Sequence, residues 1–173
     1  MRKVAVFVTG SIAAYKACEL VRLLVSNGDE VRVAMTPAAC EFVSPLTFAT
    51  LSRNPVAVDR SAEPQEWVPG HVSLAEWAEF AVVAPATANT IAKMRCGIAD
   101  NFVLSALLAT RAKKIVAPAM NDGMWEAAAT RENVAALAAQ GVAFVGPGDG
   151  ELACGSSGRG RMAAPAEIFE AIG

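Results

Sequence analysis

The sequence predicts an α/β domain in which a parallel sheet is covered by helices on both faces. Three observations support this prediction. Short runs that are apolar throughout alternate along the chain with segments of helical periodicity, and strands buried on both faces of a parallel sheet have this pattern. Hydrophobic residues make up 54% of the chain and aromatic residues only 6%, so small aliphatic side chains must form the core. The length of 173 residues fits one doubly wound domain over residues 1–173.

Five apolar runs are predicted as the main strands, over residues 3–9, 30–35, 80–84, 114–117 and 143–145, with a short extra strand over 56–58. The first helix is predicted over 13–27, because its apolar residues recur on one helical face and a glycine-containing turn follows. Further helices are predicted over 38–42, 45–51, 72–78, 90–94, 101–110, 131–140 and 165–172. Residues 59–70 are predicted as a loop.

Composition and charge exclude several classes of protein. The net charge is −2 and no basic stripe is present, which argues against a nucleic-acid partner. The apolar runs are too short to cross a bilayer, and the N-terminal segment lacks a convincing signal-peptide cleavage site, so we expect a cytoplasmic protein. No pair of cysteines has Cys-x-x-Cys spacing and there is one histidine, so neither a metal site nor a disulfide framework is expected.

Ligands of open α/β sheets bind at the carboxyl ends of the strands. The first predicted strand runs into Gly10 and Ser11 just before a helix, where backbone N–H groups can bind a phosphate. The alternative is an ordinary turn capped by Ser11. The segment lacks the glycine pattern of a Walker A loop or of a dinucleotide fingerprint. The second strand ends at Thr36 rather than at an acidic residue, so a mononucleotide phosphate is favoured over NAD.

Two further strand ends carry unusual residues. Residues 85–90 are small and would let a flat ring approach the backbone, with Asn89 as donor and acceptor; a helix cap is the alternative. After the fourth strand, Asn121 is flanked by Met120, Met124 and Trp125. Methionine and tryptophan pack against flat or apolar ligands, and the Asn121 amide can donate to a carboxylate. Hydrophobic packing beneath a loop is the alternative.

His71 and Cys154 are the remaining candidates. His71 follows Pro69-Gly70 and precedes a short helix, so it is either an acid–base group or a structural histidine. Residues 146–162 are rich in glycine and form either a flexible linker or a flap over the site. In a flap, Cys154 would carry its thiol to a ligand.

Together these motifs resemble the homo-oligomeric flavin-containing cysteine decarboxylases. Residues 85–90 are similar to the family's Pro-Ala-Ser-Ala-Asn-Thr motif, and residues 118–125 match Pro-x-Met-Asn-x-x-Met-Trp in full. Residues 71–74, His-Val-Ser-Leu, resemble the segment of the catalytic histidine, and residues 10–16 resemble the phosphate loop. The resemblance extends from residue 4 to about residue 164.

The resemblance implies a flavodoxin-like (Rossmann-like) fold, assembly into trimers and often into dodecamers, and FMN bound between subunits. By position it implies that His71 is the acid–base residue and that Asn121 binds the substrate carboxylate next to Met124 and Trp125. The residues that it assigns to FMN are Gly10, Ser11, Ile12, Thr36, Thr87, Ala88, Asn89, Thr90, Ser105 and Met120.

The implied chemistry is consistent with the cofactor. A cysteine carboxylate has no electron sink, so oxidation at Cβ by the flavin must come before the loss of CO2. Two branches of the family act on different cysteines. Decarboxylases of phosphopantothenoylcysteine, on the coenzyme A pathway, use a flap cysteine as proton donor, and Cys154 resembles it. Peptidyl-cysteine decarboxylases instead release an oxidised enethiol.

Two features favour the peptide branch. Bacterial coenzyme A members are usually fused to a synthetase, which this sequence lacks unless it is a domain of a longer protein. Relatives that act on the phosphorylated substrate often carry Lys or Arg where Glu76 stands, and a carboxylate there repels a phosphate. Because Cys154 has a defined chemical role, we favour 4′-phosphopantothenoylcysteine, with a ribosomal peptide ending in cysteine as the alternative. A flavin prenyltransferase, which shares the fold, and a non-catalytic flavin-binding regulator are further alternatives. Relatives of the first lack the 118–125 motif, and the presence of His71, Asn121 and Cys154 together argues against the second.

Overall fold

A six-stranded parallel sheet in the order β3-β2-β1-β4-β5-β6 forms the centre of the computed structural model, which describes residues 1–58, 69–151, 155 and 157–173. Its strands are β1 (Lys3–Val8), β2 (Glu30–Met35), β3 (Val56–Ala57), β4 (Phe80–Ala86), β5 (Lys113–Pro118) and β6 (Ala143–Phe144). The chain leaves β1 towards one edge of the sheet and returns to β4 on its other side. The switch in strand order therefore lies between β1 and β4, where such sheets bind ligands.

Nine helices and a hairpin complete the described part of the chain. The helices are α1 (Ala14–Ser26), α2 (Pro37–Cys40), α3 (Pro45–Ser52), α4 (Gly70–Trp77), α5 (Ala88–Cys96), α6 (Phe102–Ala109), α7 (Asp122–Glu126), α8 (Ala128–Ala139) and α9 (Pro165–Ile172). The hairpin pairs β7 (Gly148–Glu151) with β8 (Ser157–Arg161) in antiparallel orientation, separate from the sheet. Among the described helices, none is long and apolar enough to cross a membrane.

The sheet is buried on both faces, which confirms the predicted doubly wound α/β fold. Alternate side chains of β1 enter different clusters: Val4 and Val6 pack with α1, α3 and α9, whereas Ala5 and Phe7 pack with α4, α6 and α8. The strands are apolar throughout because their alternate side chains pack into the hydrophobic clusters on the two faces of the sheet.

Local hydrogen bonds explain several element boundaries. Helix α2 starts after Thr36, whose Oγ1 accepts from Ala39 N at 3.3 Å, and proline at its first position suits a helix start. The sequence predicted α5 to start at residue 90, but Thr87 caps it and adds two residues. It did not predict α7, which Asn121 caps, or the hairpin within the glycine-rich flap. Residues 59–68 of the predicted loop lie outside the described residues, and α4 begins two residues earlier than predicted.

An ion pair joins the start of the sheet to the last helix. The side chain of Asp29 is 1% exposed and accepts from Arg2 Nε at 3.0 Å and Nη2 at 2.5 Å. Arg2 also donates to the carbonyl of Gly173 and lies 5.3 Å from the centre of the Phe169 ring. The hydrogen bonds from Arg2 hold the pKa of Asp29 below its usual range.

Candidate active site

A cavity of about 830 Å³ opens at the carboxyl ends of β1, β4 and β5. Four segments form its walls: the loop between β1 and α1, the start of α5, the loop after β5, and the hairpin. Each of these four segments contains or adjoins residues that were predicted from the sequence as site residues. The cavity also lies beside the switch point of the sheet, where a ligand site is expected.

The loop between β1 and α1 is shaped by a close contact with α2. A Cβ atom on Gly10 would lie 2.6 Å from the Cβ of Ala38, so only glycine fits. The next residue closes a tight turn, since Ser11 N donates to Thr9 O at 2.8 Å and Ser11 Oγ accepts from Ala13 N at 3.3 Å. Gly10, Ser11 and the exposed Ile12 all line the cavity, and their role in binding a phosphate stays a prediction.

Thr9 holds this loop against the start of α5, and sequence reasoning missed it. Its side chain is fully buried; Oγ1 donates to Pro85 O at 2.7 Å and accepts from Thr87 N at 3.1 Å. The hydroxyl therefore joins the carboxyl ends of β1 and β4 across the switch point. A hydroxyl residue at the end of an otherwise apolar strand, directly before Gly10, was the available signal.

Thr87 and Ala88 form the second wall of the cavity. Thr87 Oγ1 accepts from Thr90 N at 3.2 Å and lies 3.1 Å from Thr90 Oγ1. The buried Thr90 thus supports Thr87 from beneath, whereas Asn89 is exposed and does not line the cavity.

The loop after β5 presents Asn121. Asn121 Oδ1 accepts from Gly123 N at 2.9 Å, which caps α7 and fixes the orientation of the amide at the cavity wall. Met120 and Met124 also line the cavity. Trp125 is instead 6% exposed and lies beneath the loop, with the guanidinium of Arg131 5.7 Å from its ring centre.

The hairpin is pressed against this loop. Met120 N donates to Gly160 O at 3.0 Å. A Cβ on Gly160 would lie 2.1 Å from Met120 O, and one on Gly158 would lie 2.8 Å from Asp122 Oδ2. Gly160 therefore brings the strand into contact with the backbone of this loop, and Gly158 leaves room for the side chain of Asp122, so the hairpin packs directly next to Asn121.

The remaining candidates lie elsewhere. His71 is on α4, where its ring packs edge-to-face with Phe102 at 6.2 Å, and it is not among the residues that line the cavity. Thr36 is used to cap α2, and Ser105 Oγ donates to Ala99 O at 3.4 Å; neither lines the cavity. Cys154 lies outside the described residues. The roles assigned to all of these residues stay predictions.

The cavity is positively charged, a feature that sequence reasoning missed. Lys16 and Arg161 line it, and no carboxylate does so in the part of the chain that the structure describes. Ile12 and Tyr15 stand at the cavity with 55% and 60% of their surface exposed. The site therefore suits a ligand with anionic groups and a flat apolar part.

Fold and site together define a flavodoxin-like α/β protein with a cavity at the switch point of its sheet. The chain belongs to the Flavoprotein family, whose sequence pattern matches residues 1–173. Two similar curated proteins are coenzyme A biosynthesis bifunctional proteins: that of Bacillus subtilis (strain 168) is 46% identical over 169 residues, and that of Haemophilus influenzae is 43% identical over 171 residues.

These relatives are much longer than the chain. The matches cover 98% and 99% of this chain but 42% and 43% of the relatives, so the chain spans about two fifths of their length. Two solved structures match nearly the whole chain. A PPC decarboxylase mutant complexed with pantothenoylaminoethenethiol has a TM-score of 0.89 and 29% identity, covering 99% of this chain and 96% of its own.

A second solved structure, the FMN-dependent cysteine decarboxylase SpaF, has a TM-score of 0.84 and 26% identity, covering 100% of this chain and 98% of its own. Together the comparisons confirm the resemblance to flavin-containing cysteine decarboxylases that the sequence motifs indicated.

Proposed function

We propose that this chain is an FMN-dependent decarboxylase that converts 4′-phosphopantothenoylcysteine to 4′-phosphopantetheine. The observation that carries the proposal is the cavity in which the phosphate loop, the start of α5 and Asn121 converge. The chain that forms this cavity is 43–46% identical, over nearly all of the length of the chain, to coenzyme A biosynthesis bifunctional proteins. A cytoplasmic location is part of the same proposal.

The cavity fits FMN. Its volume of about 830 Å³ is within the range of cofactor sites. Gly10 and Ser11 provide a phosphate-binding turn with Lys16 beside it, and Ala88 and Ala119 leave room for a ring against the backbone. Ile12, Thr87 and Met120 complete the group of residues that would hold the cofactor. When bound, FMN supplies reversible two-electron chemistry at the thiol-bearing carbon of the substrate.

The residues of the chain orient the substrate and move its protons. The Asn121 amide donates to the substrate carboxylate, and the fixed cap of α7 sets its direction. His71 acts as the acid–base group. Cys154, whose position lies outside the described residues, is proposed as the proton donor of the final reduction.

The site is proposed to be shared between subunits of a homotrimer, which in turn assembles further into a dodecamer. Within one chain, His71 packs with Phe102 and does not line the cavity that contains Asn121. Exposed Ile12 and Tyr15 at the cavity provide an apolar surface for a neighbouring subunit to cover. A partner would then bring its His71 to the cavity of this chain.

Mixing two inactive variants tests this arrangement. His71→Asn and Asn121→Asp proteins, unfolded together and reassembled in equal amounts, should regain activity in about a quarter of their sites if each site takes one residue from each of two subunits. Mixed assemblies without activity, confirmed as mixed by native mass spectrometry, would contradict a shared site.

Product mass distinguishes the proposed reaction from its closest alternative. Purified protein should bind FMN, and incubation with 4′-phosphopantothenoylcysteine should give a product lighter by CO2 alone. His71→Asn should retain FMN and lose turnover. A protein that does not take up FMN, or that leaves this substrate unchanged, would refute the proposal.

A peptide ending in cysteine is the second candidate substrate. The observation that favours it is Glu76, which is exposed on α4 and would repel a substrate phosphate brought close to it. In the same assay, a peptide product lighter by CO2 and two hydrogens would identify this branch.

A further inference from the structure

Two cations line the cavity, among the residues that the structure describes. Lys16 comes from the first turn of α1, where its N–H donates to Ala13 O next to the Gly10–Ser11 turn. Arg161 is the last residue of β8. Because Lys16 belongs to the turn proposed to bind the cofactor phosphate, Arg161 remains for a different anion.

Arg161 is placed on the substrate side by its own strand. The carbonyl of the preceding residue, Gly160, accepts a hydrogen bond from Met120 N at 3.0 Å, and Met120 is the residue directly before Asn121. A Cβ on Gly160 would overlap Met120 O, so the two backbones are in contact. The hairpin thus fixes the start of the Arg161 side chain relative to the amide proposed to bind the substrate carboxylate.

Within the described residues, the guanidinium group of Arg161 is supported and has no carboxylate partner. A Cβ built on Gly150 would lie 3.3 Å from Arg161 Cζ and Nη1, so the group rests against the glycine backbone of the facing strand. The ion pairs formed within the described residues involve other cations. A supported and unpaired guanidinium at a cavity wall is suited to bidentate binding of a phosphate.

Arg159, two residues earlier on the same strand, is used differently. Its Nε donates to Pro147 O at 3.3 Å, and it does not line the cavity. Arg159 therefore forms a hydrogen bond within the hairpin region, whereas Arg161 lines the cavity.

We propose that Arg161 binds the terminal phosphate of the substrate and selects the phosphorylated substrate over its unphosphorylated form. This inference rests on the proposed function. It also identifies what offsets the repulsion from Glu76, since Arg161 provides the positive charge within the cavity that α4 does not.

The test compares kcat/KM for 4′-phosphopantothenoylcysteine and for pantothenoylcysteine. Wild type should prefer the phosphorylated form. Arg161→Ala should lower kcat/KM for that form about 10- to 100-fold, the usual effect of losing hydrogen bonds to a charged group, and leave the unphosphorylated form unaffected. Arg161→Lys should retain part of the preference, because lysine keeps the charge and loses the bidentate geometry.

Arg159→Ala is the matched control, since it removes the same charge from the same strand and should keep the preference. FMN content, measured by absorbance, should be equal in all variants. An Arg161→Ala enzyme that keeps the wild-type preference, or loses activity equally on both substrates, overturns the role of Arg161 while the proposed function stands. A wild-type enzyme that decarboxylates neither substrate refutes the proposed function, and the role of Arg161 with it.

Discussion

Replacing Gly160 with alanine should separate the hairpin from the loop that carries Asn121. The new Cβ would lie 2.1 Å from Met120 O, so the strand must move by about 1 Å before the contact is tolerable. That movement breaks the hydrogen bond between Met120 N and Gly160 O, which is 3.0 Å long. Overpacking strain and the lost hydrogen bond together amount to roughly 2–4 kcal/mol.

The strain should be relieved locally. The hairpin is a separate two-stranded sheet, so it can leave the loop without disturbing the six parallel strands. We therefore expect FMN to bind as in wild type and kcat/KM to fall about 100-fold, since a displacement of about 1 Å near a reacting group has an effect of that size. The Met120 amide should also exchange its hydrogen faster.

Gly148→Ala is the control for this substitution. Gly148 lies on the facing strand, has no positive φ, and its nearest neighbour would be 3.9 Å from an added Cβ. Turnover is measured by product mass spectrometry, flavin binding by absorbance, and exchange at Met120 by NMR or mass spectrometry. If Gly160→Ala matches Gly148→Ala in both turnover and exchange, the contact does not position Asn121 and the reasoning fails.

Three further predictions concern stability and reactivity. Asp29→Asn should lower the free energy of unfolding at pH 7 by about 1–3 kcal/mol. Because Arg2 holds the pKa of Asp29 below its usual range, this stabilisation is present above the ordinary carboxyl pKa and is lost as the pH falls through the lowered pKa. The urea denaturation curves of wild type and Asp29→Asn should therefore converge only in acid. Thr9→Val keeps the shape of the side chain but leaves the carbonyl of Pro85 and the N–H of Thr87 without this partner. It should cost about 1–3 kcal/mol and weaken FMN binding in a fluorescence titration, whereas Thr9→Ser should retain stability and binding. Burial raises the pKa of the Cys18 thiol, so iodoacetamide should label Cys18 more slowly than the exposed Cys96 in peptide mass spectrometry, and equal rates would contradict this burial.

Most of the fold could be predicted because its signals are local. Strands buried on both faces are apolar throughout, and the predicted bounds of β2 and α9 coincide with those of the structure. Helix starts were harder to predict. A helix cap was an alternative interpretation of residues 85–90, and Thr87 is the cap of α5, whereas the cap of α7 by Asn121 was not predicted because Asn121 was interpreted as a ligand contact. The hairpin was missed because its strands are stabilised by contact with the Asn121 loop rather than by an apolar pattern of their own.

The parts of the candidate site that lie in a motif at a strand end could be predicted, but contacts between residues far apart in the sequence could not. Gly10, Ser11 and Asn121 follow directly from the strands that carry them, and the cavity contains all three. Thr9 connects to Pro85, 76 residues away, and no periodicity reports such a hydrogen bond. The placement of His71 outside the cavity of its own chain also has no local signal, because it depends on how α4 packs against the sheet.

The conflict between Glu76 and the phosphorylated substrate is reduced by where the charges lie. Among the described residues of one chain, Arg161 lines the cavity and no residue of α4 does so, although a partner that brings its His71 also brings Glu76 on the same helix. A charge acts on a bound phosphate according to its distance, and Arg161 can also donate two hydrogen bonds to the phosphate, which a carboxylate cannot. The positive groups in the cavity should therefore decide which anion enters. The hairpin couples recognition of the substrate phosphate to binding of the substrate carboxylate, because it carries Arg161 and contacts the loop that contains Asn121.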